Sequence, residues 1–295
     1  MRRRLRDGSS SNWARRLMAM RMFERTEILA KIANQVAERK AILAAGSSCG
    51  LVAKCAVLGG ADMLVVYSTG LSRLMGLPTS RIGDSNARTL ELASEVRNVV
   101  SSVPVIGGIE AWDPLRLDLD ALLDKFWSAG FSGVINYPTI STMGDKWRYR
   151  RGRVGLGFER EVEMIAAARK KDIFSLAYVA SPDDAKAMAG AGADCIVPHV
   201  GATRGGLVGH EEGQPIQEAI RRINDISDAA RSVRSDVILL CHGGAIAEPE
   251  DTIVVYRSTQ CVGFVGASSI ERIPIERAVK AAAEEFKAVP LPRHH

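Results

Sequence analysis

Short apolar runs separated by polar, helix-spaced segments set the rhythm of this chain. Runs begin near Ile42, Asp62, Pro104 and Gly133, and again near Ile173, Asp194, Asp236 and Gly263. The second four follow the first four at a spacing of about 131 residues, the sort of fixed echo that repeated architectures leave in a sequence. One block makes the echo explicit. Ala53-Lys54, Gly60-Ala61-Asp62 and an apolar run to Tyr67 return as Ala185-Lys186, Gly192-Ala193-Asp194 and an apolar run to His199. Gly-Ala-Asp is also common where a helix turns into a strand, so duplication and ordinary turn chemistry both account for it. Eight strands alternating with helices predict a parallel α/β sheet, and in under 300 residues they predict one closed (β/α)8 barrel. Two similar half-barrels are the form this takes if the echo is ancestral.

Such a barrel carries its chemistry at the C-terminal ends of the strands. The first strand, Ala41–Ala45, ends in Gly46-Ser47-Ser48-Cys49-Gly50. The second, Met63–Val66, ends in Tyr67-Ser68-Thr69-Gly70. The third, Val105–Ile109, runs into Glu110, with Asp113 just beyond, and the fourth ends in Asn136-Tyr137-Pro138-Thr139. The fifth ends at Tyr178 and the sixth at Pro198-His199. The seventh, Val237–Cys241, ends in His242-Gly243-Gly244, and the eighth in Gly266-Ala267-Ser268-Ser269, followed by Glu271-Arg272.

Of the five histidines, His199 and His242 end adjacent strands, whereas His210 falls in a loop and two are terminal. Imidazoles shuttle protons near neutral pH. In the internal alignment Tyr67 is the counterpart of His199, and Glu110 that of His242. All four are therefore expected at similar depth around the mouth. A carboxylate and two imidazoles suit general acid/base work or one divalent ion, with a buried structural ion pair as the plain alternative.

Gly243-Gly244 and Ser268-Ser269 lie where barrels often bind phosphate. Their backbone N–H groups, a helix opening near Pro274 and the Arg272 guanidinium would hold a phosphate or a carboxylate, with Glu271 as the other partner for Arg272. Small residues also simply permit tight turns. Ser47, Ser48, Tyr67, Ser68, Asn136, Thr139 and Tyr178 complete the expected substrate-binding rim. Two long loops, 68–86 with Arg73, Arg81, Asp84 and Asn86, and 139–158 with Lys146, Arg148, Arg150, Arg151 and Arg153, are expected to cover the mouth or meet another subunit.

Composition narrows the class. The chain is 46% hydrophobic, enough for a large core, and no apolar run is long enough to span a bilayer. The five cysteines show no CxxC spacing, so a reducing cytosol is the expected compartment. The net charge of +5 is carried by residues 1–22, which hold seven arginines and one aspartate. The remainder is close to neutral, which speaks against a nucleic-acid-binding body. Residues 1–22 read as a basic disordered arm, although their Arg- and Ser-rich, acid-poor composition also fits an organelle transit peptide, and Met18, Met20 or Met22 a later start. Residues 23–289 are expected to form the barrel and 290–295 a tail, in which His294-His295 reads as a tag remnant. Neither a GxxxxGK[ST] loop nor a G-x-G-x-x-G between strand and helix is present, so no nucleotide cofactor is expected. No lysine ends a strand, which disfavours a Schiff-base aldolase.

From about Arg25 to Phe286 the chain resembles the phosphoenolpyruvate hydrolase-like family, also called TIM-barrel signal-transduction proteins. That domain also forms the C-terminal part of some plant virus-resistance proteins. The likeness rests on Gly59-Gly60-Ala61-Asp62 with Tyr67-Ser68-Thr69-Gly70, on Asp84-Ser85-Asn86-Ala87 and on Gly133 to Thr139. It continues through Ala191 to His199, Leu240 to Gly244, Gly266 to Arg272 and Pro274-Ile275-Glu276. The resemblance implies a barrel distantly related to the phosphoenolpyruvate mutase and isocitrate lyase superfamily. Those enzymes make or break C–C or P–C bonds beside an enolate, usually with Mg²⁺, and they usually associate into homo-oligomers. Two departures matter. The Lys-Lys-Cys-Gly-His loop of isocitrate lyases is missing, and only Glu110 and Asp113 stand where an Asp-rich metal cluster would follow strand three. The first and third strand ends also differ from the family's usual pattern, so some drift in substrate preference is expected.

The expected function is an enzyme that cleaves or hydrolyses a C–C, C–O or P–C bond beside a carbonyl in a small anionic substrate such as a 2-oxo or β-oxo acid. His199 and His242 would move protons, and Glu110 and Asp113 would orient them or hold Mg²⁺. A non-catalytic ligand-binding or signalling barrel and a phosphosugar isomerase are the alternatives.

Overall fold

The computed structural model describes residues 22–209 and 214–292. The greater part of the N-terminal arm, His210 and the last three residues therefore lie outside the described residues. Eight parallel strands close into a barrel in sequence order. They are β1 (Ile42–Gly46), β2 (Met63–Val66), β3 (Val105–Gly108), β4 (Gly133–Ile135), β5 (Phe174–Val179), β6 (Cys195–Pro198), β7 (Ile238–Cys241) and β8 (Gly263–Gly266). The seam is a regular ladder, with Ile42 opposite Gly263 and Ala45 opposite Gly266. The single (β/α)8 barrel expected from the sequence is therefore present. Strand starts in the two halves are each separated by about 131 residues, the same spacing as the echo in the sequence.

The helices around the strands are α1 (Arg25–Ala37), α2 (Gly50–Leu58), α3 (Thr69–Leu74), α4 (Ser85–Arg97), α5 (Leu119–Ser128) and α6 (Asp145–Gly152). They continue with α7 (Phe158–Lys170), α8 (Pro182–Ala191), α9 (Ile216–Val233), α10 (Pro249–Ser258), α11 (Ser268–Glu271) and α12 (Ile273–Lys287). Their starts follow local chemistry. Asp84, Asp118 and Ser181 accept the free N–H groups of the first turns of α4, α5 and α8, and Pro182 and Pro249 open α8 and α10, as N-terminal preferences dictate.

Strand residues alternate between two apolar layers. Inward side chains, among them Ile42, Met63, Val65, Ile106, Ile135, Phe174, Leu176, Val197, Leu240 and Val265, fill the barrel. Outward ones such as Leu64, Val105, Val134, Ala177, Ile196 and Leu239 meet the helices. The bottom is plugged. Phe23, just before α1, and Ile28 and Ile32 on it join the interior cluster. The Phe23 N–H donates to Ser132 Oγ at 3.0 Å, and Arg25 grips Asp194 at 2.7 Å, both residues lying just before strands β4 and β6. Helix α12 behaves differently: of its 15 residues only Ile273 is buried, and Ile275, Val279 and Phe286 are exposed.

Candidate active site

Where the inward positions reach the C-terminal ends of the strands, aliphatic side chains give way to rings. Tyr67 follows β2, Tyr137 follows β4, Tyr178 ends the inward row of β5, His199 follows β6 and His242 follows β7. Ring centroids are 4.7 Å apart for Tyr67–Tyr137, 5.4 Å for Tyr137–Tyr178, 5.2 Å for Tyr178–His199 and 4.7 Å for Tyr178–His242. Gly108 makes room for this layer: a Cβ there would stand 2.4 Å from the Cβ of Tyr67. Above the rings lies a cavity of about 440 Å³, lined by Tyr67, Tyr137, His199 and His242, by Arg73 and Arg222, and by Ser268.

The two imidazoles are neighbours in every sense. Their residues form a parallel backbone bridge, and their ring centroids are 4.7 Å apart. The partners assign opposite tautomers. His242 Nδ1 lies 2.6 Å from the Val265 carbonyl, which can only accept, so Nδ1 carries the proton and Nε2 a lone pair. His199 Nδ1 instead accepts the Gly201 N–H at 3.3 Å, so its proton sits on Nε2. Burial drives both toward neutrality. His199 is held well below the usual histidine range by burial, by His242 and by the charge of Arg222. Burial also pushes His242 down to about 4, with Arg73 adding to it and the Val265 bond opposing.

The loops beneath the pair are laced together. The Gly244 N–H donates to Gly201 O at 2.9 Å, and the Val200 N–H to His242 O at 3.1 Å. Gly243 adopts φ +82°, and a Cβ on it would meet Gly201 O at 2.2 Å. No other residue type fits there without strain.

Arg73, on the short helix α3 that follows β2, is buried behind Tyr67, its guanidinium 5.5 Å from that ring. Its Nε donates to Glu271 Oε1 at 2.7 Å, its Nη2 reaches the same oxygen, and Ser48 Oγ donates to Glu271 Oε2. The Glu271 carboxylate holds Arg73 charged in spite of burial. Burial raises the phenols of Tyr67, Tyr137 and Tyr178, so all three keep their protons. The wall therefore presents phenols, neutral imidazoles and guanidiniums.

Of the residues singled out in the sequence, His199, His242, Tyr67 and Ser268 come together on the cavity, and Tyr178 packs against both imidazoles. Ser48 and Glu271 stand behind it, supporting Arg73. The others have different neighbours. Asn86 clamps the backbone of Glu110 through its N–H and carbonyl, both at 3.0 Å. The Glu110 side chain turns to Arg81 Nε at 2.7 Å and leaves Oε1 buried without a hydrogen-bond partner. Asp113 accepts from Asn86 Nδ2 at 3.0 Å and pairs with Arg116. Glu110 and Asp113 are thus absent from the cavity lining. Asn136 and Thr139 donate to Glu161 Oε2 at 2.6 and 2.7 Å. Arg272 bonds Glu276 and the Gly205 carbonyl, both at 2.9 Å, and not Glu271. Ser47 Oγ reaches Ala45 O at 3.5 Å, the Ser68 N–H donates to Thr89 Oγ1, and Ser269 Oγ is buried without a partner.

Four further side chains belong to this region. Arg73 had a loop position as its only signal, and Tyr137 a strand-end motif. Arg222 is one basic residue on an amphipathic helix, and Glu161 one acid on another. Glu161 is fully buried, and burial pushes its carboxyl up to about 8 against the bonds from Ile140, Thr139 and Asn136.

Mg²⁺ requires oxygen ligands, usually one or two carboxylates with water. No carboxylate is among the described lining residues, and no group of three or more His, Cys, Asp or Glu side chains suited to a metal occurs among the described residues. The orphaned Glu110 Oε1 is a single oxygen beside an arginine. These residues do not fit a Mg²⁺ ion at the cavity.

Residues 27–289 match the model of a family described as phosphoenolpyruvate hydrolase-like. The tomato (Solanum lycopersicum) ToMV resistance protein Tm-1(GCR237) is 40% identical over 276 residues, covering 91% of this chain but 36% of its own length. The chain thus spans about a third of that relative. Among solved structures, a phosphonopyruvate hydrolase complex with oxalate and Mg²⁺ superposes with a TM-score of 0.59 at 17% identity, covering 91% of this chain and 92% of the other. Oxaloacetate acetylhydrolase with its product oxalate gives 0.58 at 16% identity, covering 89% of each. At such identities the likeness speaks for the fold alone.

Proposed function

The chain belongs to the phosphoenolpyruvate hydrolase-like family, and from that premise we propose that it is an enzyme cleaving a C–C, C–O or P–C bond beside a carbonyl in a small oxo acid. One observation carries the reading: two buried, neutral imidazoles of opposite tautomer stand side by side at the barrel mouth. His199 Nε2–H can donate to an oxygen on which charge develops, while His242 Nε2 can take a proton from an attacking water or a substrate hydroxyl. An anion on this wall would supply the counter-charge that the imidazoles lack and raise their basicity at the moment of binding. The tyrosine phenols and Ser268 would orient the substrate.

Two structural neighbours, one in complex with oxalate and Mg²⁺ and one with the product oxalate, support an oxo acid or its fragment as the occupant. A divalent ion, if used, would have to gain its ligands from elsewhere, and no step above runs through one. The phosphosugar reading has less support, because the Gly244 N–H expected to hold phosphate is taken by Gly201. A ligand-binding barrel without turnover is the second reading, favoured by the weak basicity that burial gives His242. A homo-oligomer belongs to the proposal as well, supported by the exposed apolar side chains of α12, and light scattering tests it. No helix among the described residues is long and apolar enough to cross a membrane.

Turnover of oxaloacetate, phosphonopyruvate and related oxo acids, each with Mg²⁺, Mn²⁺ or EDTA, tests the activity. Cleavage that His242→Ala abolishes supports it. Cleavage that His242→Ala leaves intact, or binding without cleavage under every condition, sinks it.

A further inference from the structure

The two guanidiniums on the cavity wall are not equivalent. Arg73 is neutralised by the buried carboxylate of Glu271, in contact through both Nε and Nη2. Arg222 has only neutral acceptors among the described residues. Its Nη1 donates to Gln214 Oε1 at 3.0 Å and to Val200 O at 3.4 Å, and its Nη2 to Ala180 O at 3.5 Å. The two carbonyl bonds sit at the long end of the useful range. They place the guanidinium between the chain leaving β5 and the chain leaving β6, next to His199, and it lines the cavity. It is half-buried. A guanidinium with spare N–H donors and no carboxylate partner, set in a cleft, is built to take a planar anion in two-point contact.

We infer that Arg222, on helix α9, anchors an acidic group of the substrate and so fixes the substrate's orientation against His199. The division of the wall supports this. Both cations share the wall with the imidazoles, and the charge of Arg222 acts on His199 whereas that of Arg73 acts on His242. Only the Arg222 side has charge left for a ligand. An acid anchored there presents its neighbouring carbonyl to His199 Nε2–H, leaving His242 Nε2 for the proton transfer. Arg222 is thus a specificity residue, reading the acidic end of the substrate, and the inference rests on the cavity being the substrate site.

The test is oxalate binding to the full-length protein by calorimetry at constant ionic strength, for wild type, Arg222→Gln and Arg222→Lys. The histidine ring signals are followed by NMR in parallel. Arg222→Gln is expected to weaken oxalate about tenfold or more, roughly the loss of one charge-assisted contact. Arg222→Lys should recover part of that, and anion-induced shifts should be largest at His199. Where an oxo acid is turned over, the loss should fall on KM more than on kcat. Equal oxalate affinity in wild type and Arg222→Gln, or a wild type that takes no oxalate at the mouth, overturns the anchor. Neither of those outcomes touches the catalytic reading, which falls only if wild type turns over no oxo acid or His242→Ala keeps full activity. Circular dichroism of each variant separates a lost contact from a lost fold.

Discussion

His199 and His242 are joined twice, by a parallel backbone bridge and by rings whose centroids lie 4.7 Å apart. The bridge extends the β6–β7 ladder past the regular strands, to the point where the chain would otherwise turn away. Two side chains more than forty positions apart in sequence are thereby fixed against each other by main-chain hydrogen bonds. Their mutual orientation does not depend on a mobile loop.

Removing either imidazole should cost activity as the loss of a proton-transferring group does. His242→Ala and His199→Ala are each expected to lower kcat on the oxo acid by about 10²- to 10⁴-fold. The double variant should fall little further, because groups acting as a unit are not additive. Steady-state kinetics on the three purified variants gives the answer, and near-additive losses would mean that the two act separately.

Acid should loosen the fold through the same pair. Both imidazoles have folded pKa values below the ordinary 6.5, His242 at about 4, so the unfolded chain binds protons that the native chain refuses. The contribution of both is complete above pH 6.5 and declines as pH falls below it, that of His242 being lost by pH 4. For His242 the full span corresponds to about 3 kcal/mol as an upper figure. Urea unfolding at stepped pH should show stability dropping over this window, and a shallower drop in His242→Gln. An unchanged slope in that variant would contradict the depressed pKa.

Glu271 and Arg73 are both about 1% exposed in their side chains, so breaking the pair strands a buried cation. Glu271→Ala is expected to cost about 3–5 kcal/mol, whereas replacing both partners by leucine should be much milder. Chemical denaturation compares the two. If single and double variants lose the same stability, the charge is relieved by some other group.

Gly243→Ala should be destabilising by about 1–3 kcal/mol, because positive φ and contact with Gly201 O act together. Gly205 offers the comparison: its φ is +77°, but a Cβ there would meet nothing within 4 Å. Gly205→Ala should therefore cost only the backbone part, and thermal melts of the two should rank them in that order.

The barrel was legible because its evidence is periodic. Eight apolar runs alternating with helix-spaced segments, two of them led by Gly-Ala-Asp, leave few other ways to bury the chain, and the strand ends placed Tyr67, His199 and His242 on the mouth. Legibility failed where a side chain's role depends on its partner. Glu110 has the right position for a rim carboxylate, but Asn86 and Arg81, 24 and 29 residues upstream, claim it. The Gly243-Gly244 turn reads as an anion cradle, but the Gly244 N–H donates to Gly201 O. Arg222 and Glu161 carried no motif, since a charged residue on a helix is ordinarily solvated. Only the tertiary fold sets one against a cavity and buries the other completely. Long-range pairings such as Ser48 with Glu271 have no counterpart in local sequence.

The packed inward side chains, with Phe23, Ile28 and Ile32 beneath them, make the barrel mouth a cul-de-sac. A molecule that enters over His199 and His242 has no exit through the floor, so under the proposed cleavage both fragments would have to retrace the path of entry one after the other. With Arg222 on the wall, the fragment bearing the acid would be the last to leave, and its accumulation would throttle the next cycle from within.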